Sequence, residues 1–154
     1  MIYAMSDIHG CLEAFEERLK EVDQSHRTPM PATEADWPLL AEKKELIRWI
    51  RNLPLFYQTG TQIYVHAGVD EEAEDLWQVG TSDEVFLWKY PATTGSFYMT
   101  IIAGHVGTYA LAGKKSFHDI YFDGASHYYI DGTVYNGGKL NLFIYDEETD
   151  SYRI

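Results

Sequence analysis

Met5-Ser6-Asp7-Ile8-His9-Gly10 ends the short apolar run that begins at Ile2, and two later stretches are built the same way. Val65-His66-Ala67-Gly68 closes the run Gln62 to Val65, and Gly104-His105-Val106-Gly107 follows the run Met99 to Ala103. Short apolar runs bounded by small residues read as buried strands. The small neighbours let the backbone turn sharply, leaving Asp7, His9, His66 and His105 at the mouth of a sheet. One carboxylate and three imidazoles, raised at strand ends from distant parts of the chain, are the donor set a transition-metal site requires. These N and O donors suit Mn, Fe or Zn.

Read outward from the first stretch, Cys11 to Val22 predicts an amphipathic helix, because Leu12, Phe15, Leu19 and Val22 recur at three- and four-residue steps. The loop carrying Asp7 and His9 runs straight into it, so the first amides of the helix make a plausible anion seat. The segment from Gln24 to Ala32 holds Ser25, Thr28, Pro29 and Pro31 and predicts a loop. His26 within it reads as a solvated loop histidine before it reads as a ligand or acid. Thr33 to Asp36 is a capping signal for a helix whose apolar face includes Leu39, Leu46, Ile50 and Leu53 and which Pro54 stops.

Leu55 to Gln58 and Gln62 to Val65, joined by Thr59-Gly60-Thr61, predict a hairpin that delivers His66. Val69 to Gly80 carries five carboxylates and reads as a solvated surface segment, without the alternation of a calcium loop. Strands are predicted over 120–122, 127–130, 133–135, 140–145 and 151–154. The turn signals Asp123-Gly124, Asp131-Gly132 and Asn136-Gly137 lie between them. His118 and His127 read as sheet or loop residues, and the aromatics among Tyr121, Phe122, Tyr128, Tyr129 and Tyr135 as sheet packing or an interface.

The three quoted stretches, in this order, resemble the calcineurin-like metallophosphoesterases, and most of all the bacterial serine/threonine phosphatases and their dinucleoside-polyphosphatase relatives. Ser6-Asp7-Ile8-His9-Gly10 is similar to the opening Asp-x-His-Gly motif, and Val65-His66-Ala67-Gly68 and Gly104-His105 to the two later histidine motifs. The segment from Tyr129 to Leu140 resembles the closing strands. The resemblance covers residues 1–23 and about 40–154 and implies an α/β fold, a two-sheet β-sandwich flanked by helices. It implies Asp7 and His9 as ligands of one metal ion, and His66 and His105 as ligands of a second. It further implies a metal-bound hydroxide that hydrolyses a phosphate ester. Lys89 stands where the family carries a substrate-binding Arg, as a point charge without the bidentate fork.

The chain departs from the family between its first and third motifs. Neither Gly-Asp-x-x-Asp-Arg-Gly nor Gly-Asn-His-Glu occurs, so a bridging Asp, an Asn ligand, a phosphate-binding Arg and the general-acid His have no counterpart. No catalytic residue is identifiable from the family pattern. The sandwich is expected to lack one strand-helix-strand block, with the single domain 1–154 internally shortened near 23–36. Each half-site keeps two protein ligands where catalytic sites usually have three, so the family's two ions reduce to one or none here. The expectation is a metal-dependent phosphoesterase using Mn or Fe, with Zn as an option, acting on a phosphorylated protein, a small phosphate ester or a dinucleotide. The alternative is an impaired relative that binds metal or a phosphorylated partner without turnover.

Composition bounds the remainder. The chain has 154 residues, enough for one cored domain, and a net charge of −12 that argues against nucleic acid or an acidic membrane as partner. Cys11 is the single cysteine, which excludes an intrachain disulfide and fits a reducing cytoplasm. No apolar run is long enough to span a bilayer, and no secretory leader is read at the N-terminus.

Overall fold

The computed structural model describes residues 1–9, 11–22, 48 and 52–154. The expected internal shortening near 23–36, the loop with His26 and most of the helix expected before Pro54 lie outside the described residues. The architecture is mixed α/β with three sheets.

The largest sheet has five strands: β2 (Phe56–Gln58), β3 (Gln62–Val65), β4 (Thr100–Ala103), β5 (Tyr121–Phe122) and β6 (His127–Tyr129). Their order is β2-β3-β4-β6-β5. The three inner strands are parallel, with Ile63 opposite Ile101 and Ile101 opposite His127. The outer strands are antiparallel, and the expected hairpin places Phe56 opposite Val65. A three-stranded antiparallel sheet has β9 (Phe143–Asp146) between β1 (Ile2–Ala4) and β10 (Ser151–Arg153). A two-stranded ribbon pairs β7 (Asp131–Gly132) with β8 (Lys139–Leu140).

Alternation along the strands separates two apolar clusters. Tyr64 and Ile102 point from the five-stranded sheet toward Phe143 and Tyr145 of the three-stranded one, where Tyr64, Tyr128 and Tyr152 ring-pack around Phe143. Ile63, Val65, Ile101, Ala103 and Tyr129 point the other way, toward Val69, Trp77 and Phe86. Trp77 and Phe86 stand on α2 (Trp77–Gly80) and α3 (Asp83–Trp88), which follow a 3-10 turn at Glu71–Leu76. Each fully buried large side chain of this kind contributes about 1.5–3 kcal/mol, so both faces of the central sheet are needed for stability.

Helix α1 runs from Leu12 to Leu19, shorter than its apolar periodicity predicts, and Arg18 docks it by donating from Nε to the Leu140 carbonyl at 2.9 Å. Two strand expectations are corrected. Residues 134–136 form a 3-10 turn, because Thr133 takes a left-handed φ of 55° while Asp131 accepts its N–H at 2.7 Å. The run 140–145 is split, because the buried Asn141 side chain donates to the carbonyls of His118 and Ile130.

Candidate functional site

The carboxyl ends of β1, β3, β4 and β6 meet. The turns after them supply, in order, Asp7 and His9, His66, and His105, and Asp131 opens β7 two residues beyond β6. Ligand clefts of open α/β sheets lie outside the carboxyl ends of parallel strands, which is where this convergence falls.

Asp7 is the centre, with its side chain 3% exposed. Its Oδ2 accepts the backbone N–H of His105 at 2.8 Å. Its Oδ1 faces Nε2 of His9 at 3.7 Å and Nε2 of His66 at 3.9 Å. The rings of His66 and His105 are 5.1 Å apart. The row is flanked by aromatic rings: Tyr135 packs on His9 at 4.2 Å, and Trp88 meets His105 edge-on at 5.7 Å. Both are about half exposed. The structure brings Asp7, His9, His66 and His105 side by side.

The backbone here is held in costly conformations. Asp7, His9 and His105 have φ of 43°, 47° and 62°. Left-handed non-glycine residues cost about 1–3 kcal/mol each and concentrate at functional sites. Gly104 is required for close approach: a Cβ there would stand 2.5 Å from Asp7 Oδ2 and closer still to the Ser6 side chain. The Gly104 N–H donates to the His66 carbonyl at 2.8 Å, tying the β3 and β4 turns together. Beside these turns, the buried hydroxyls of Ser6 and Thr108 have no hydrogen-bond partner among the described residues.

Asp131 belongs to the site, although its sequence context read as a turn. It is 5% exposed, and burial first, then the charge of Asp7, pushes its carboxyl up to about 6 against the pull of the Thr133 N–H and His9. Ser6, Trp88 and Tyr135 were also missed. Ser6 stands next to Asp7 in the quoted motif, whereas Trp88 and Tyr135 adjoin none of the three quoted stretches.

Lys89 lies elsewhere. Its Nζ donates to the Val69 carbonyl at 2.6 Å and pairs with Glu71 at 2.9 Å. Its aliphatic stem covers Gly68, where a Cβ would come within 2.5 Å of Cδ. Glu71, read as one of a solvated acidic run, also faces the buried His127.

The expected metal centre is corrected. Among the described residues no group of three or more His, Cys, Asp or Glu side chains is arranged to hold a metal ion. The physical reason lies in how the residues use one another. Asp7 Oδ2 is taken by the backbone N–H of His105, and the ring of His105 packs against that of His66. The expectation of a Mn, Fe or Zn cofactor falls with it. So does that of a phosphatase working through a metal-bound hydroxide, together with its metal-binding alternative.

No helix among the described residues is long and apolar enough to cross a membrane. Comparison of the chain with protein-family models, with curated proteins and with solved structures returns no match.

Proposed function

We propose that the cluster of His9, His66 and His105 around Asp7 is a metal-independent binding site for the phosphate group of a phosphorylated protein or small phosphate ester. The observation that carries this reading is the convergence of three imidazoles at the carboxyl ends of strands from two sheets, on backbone strained at Asp7, His9 and His105. Protonated imidazoles donate charge-assisted hydrogen bonds to phosphate oxygens. The buried Ser6 hydroxyl, beside Asp7 and Gly104 and without a hydrogen-bond partner among the described residues, supplies a neutral donor. The start of α1, three residues beyond His9, adds the positive end of a helix dipole.

The likeness to calcineurin-like phosphoesterases is part of the proposal. It is supported by the order of the three motifs, and the two-sheet arrangement by the aromatic contacts between β9 and β10 on one side and β3 and β6 on the other. A cytoplasmic location goes with it, supported by the single cysteine.

The test is titration of the purified chain with inorganic phosphate and with phenyl phosphate, followed by calorimetry and by histidine ring resonances, with EDTA present throughout. Two charge-assisted hydrogen bonds at about 1.5–3 kcal/mol each correspond to a dissociation constant of about 1 mM. His66→Ala and His105→Ala are each expected to weaken binding about tenfold, the equivalent of about 1.4 kcal/mol. Absence of saturable binding into the tens of millimolar range, with the rings unshifted, removes the proposal.

A further inference from the structure

A second charged cluster is centred on His127 of β6, and its last member reaches back to the His66 turn. His127 is 1% exposed at the side chain, and both of its ring nitrogens face carboxylates. Nδ1 is 2.8 Å from Asp123 Oδ2, and Nε2 is 3.1 Å from Glu71 Oε2. A neutral imidazole has one N–H and one lone pair, so it could satisfy only one of these carboxylates. The geometry is that of an imidazolium.

Asp123 is fixed in turn by the backbone N–H groups of Gly95, Ala125 and His127. The other oxygen of Glu71 pairs with Lys89, which also donates to the Val69 carbonyl. Positive and negative groups alternate along Lys89, Glu71, His127 and Asp123. The ring of Tyr129 stacks over His127 from the same strand at 6.1 Å. No other titratable or charged side chain is seen against the His127 ring among the described residues.

We propose that these four residues are a positioning clamp: with His127 protonated it pins the segment after His66 to the sheet, and loss of that proton releases it. The connection is short. Val69 and Glu71 lie three and five residues beyond His66, and Lys89 covers Gly68, between His66 and Val69. The Ala67 N–H donates to the Phe86 carbonyl of α3 at 2.9 Å. Two residues on, at the end of α3, Trp88 meets His105. The clamp therefore holds both histidines of the β3 and β4 turns through one helix. Burial opposes the charge on His127, yet Glu71 and Asp123 outweigh it and raise its pKa above the ordinary histidine value.

The sign follows. The closed state binds the His127 proton more tightly than the open state, so closure is complete below the ordinary histidine pKa of about 6.5. It weakens as pH rises from there through the raised pKa. Each pH unit in that window multiplies the opening constant about tenfold. Glu71 and Asp123 are held below the usual carboxylate range and stay charged throughout the window.

The experiment is amide hydrogen exchange of ligand-free protein from pH 6 to 9, with rates corrected for intrinsic base catalysis. Protection at Ala67 and Gly104 is expected to fall about tenfold per pH unit within the window, while the core amides of Ile101 and Ile102 hold. ¹⁵N shifts of His127 should report an imidazolium at pH 7. His127→Gln should lose the pH dependence and fix protection at the released level. Lys89→Arg should keep protection where Lys89→Met loses it. A neutral His127 at pH 7, or protection at Ala67 that does not change with pH in the wild-type chain, overturns the clamp, and the wild-type series decides this even if a variant fails to fold. No ligand is involved, so phosphate binding can fail while the clamp stands, and the reverse.

Discussion

Asp131 shows what the site costs. Its carboxyl is buried beside Asp7, and its pKa of about 6 lies above the ordinary 3.8. A carboxyl raised in this way binds its proton more tightly in the folded than in the unfolded chain. Its contribution to stability is complete below pH 3.8 and is lost as pH rises through about 6. The shift corresponds to about 3 kcal/mol of lost stability at neutral pH. Asp131→Asn keeps an oxygen for the Thr133 N–H and removes the charge. The variant is expected to be about 1–3 kcal/mol more stable than wild type at pH 7.5 and nearly equal to it at pH 4, read from urea midpoints. Equal stability at both pH values would show that Asp131 titrates as an ordinary exposed acid. At this scale the sequence revealed what has a pattern: Asp7, His9, His66 and His105 each stand beside a small residue after an apolar run. Asp131 also follows a strand, but Asp-Gly is so common in turns that burial could not be read from it.

Among the elements, the segment from Val69 to Gly80 was the least legible. Five carboxylates in a row of twelve residues suggest a solvated surface, and four of them fit that description. Trp77 is nevertheless 1% exposed, packed by Phe56 and Phe86, and Glu71 turns inward to Lys89 and His127. The inward turn is closed by Thr81, whose hydroxyl donates to the Trp77 carbonyl at 2.6 Å and accepts the Asp70 N–H at 2.8 Å. Composition averages over the segment, whereas the fold selects single residues from it by hydrogen bonds that have no sequence period. Thr81→Val preserves shape and removes both bonds, leaving the Asp70 N–H without its acceptor. We expect a loss of about 1–3 kcal/mol with an unchanged denaturant slope. A change under about 0.5 kcal/mol would mean that water replaces the hydroxyl and that Trp77 and the contacts of Glu71 suffice to hold the segment. The strands fared better, because alternation is a property of the local sequence. Gln62 to Val65 matches its predicted bounds, and the failures at 133–135 and within 140–145 occur where Asp131 and Asn141 divert the backbone.

For the whole molecule, the two apolar clusters on opposite faces of one parallel-centred sheet explain why strand-end residues from positions as distant as Asp7 and Asp131 share one mouth. That assembly was legible because each strand run ended in a distinct polar residue. The absence of a metal-holding arrangement among the described residues was not, because ligand types in order say nothing about whether the side chains engage an ion or one another. The charge of the chain then makes the proposed site unusual. Twenty-four acidic residues against twelve basic ones give a net charge of −12, so the long-range field repels the anion that the imidazoles attract. The two effects differ in range. The imidazoles would act on a bound phosphate over a few ångströms, well inside the Debye length at any ordinary salt, while the field of the net charge acts over longer range and is screened beyond the Debye length of about 8 Å reached at 0.15 M. Raising ionic strength from about 0.01 to 0.15 M should therefore remove more repulsion than attraction and tighten phenyl phosphate binding about two- to threefold. A site built on a basic patch would weaken instead. Calorimetric titration at the two salt concentrations, with a weakly coordinating salt as the added electrolyte, separates the cases. A steady loss of affinity with salt would place the phosphate on surface lysines and away from the Asp7 cluster.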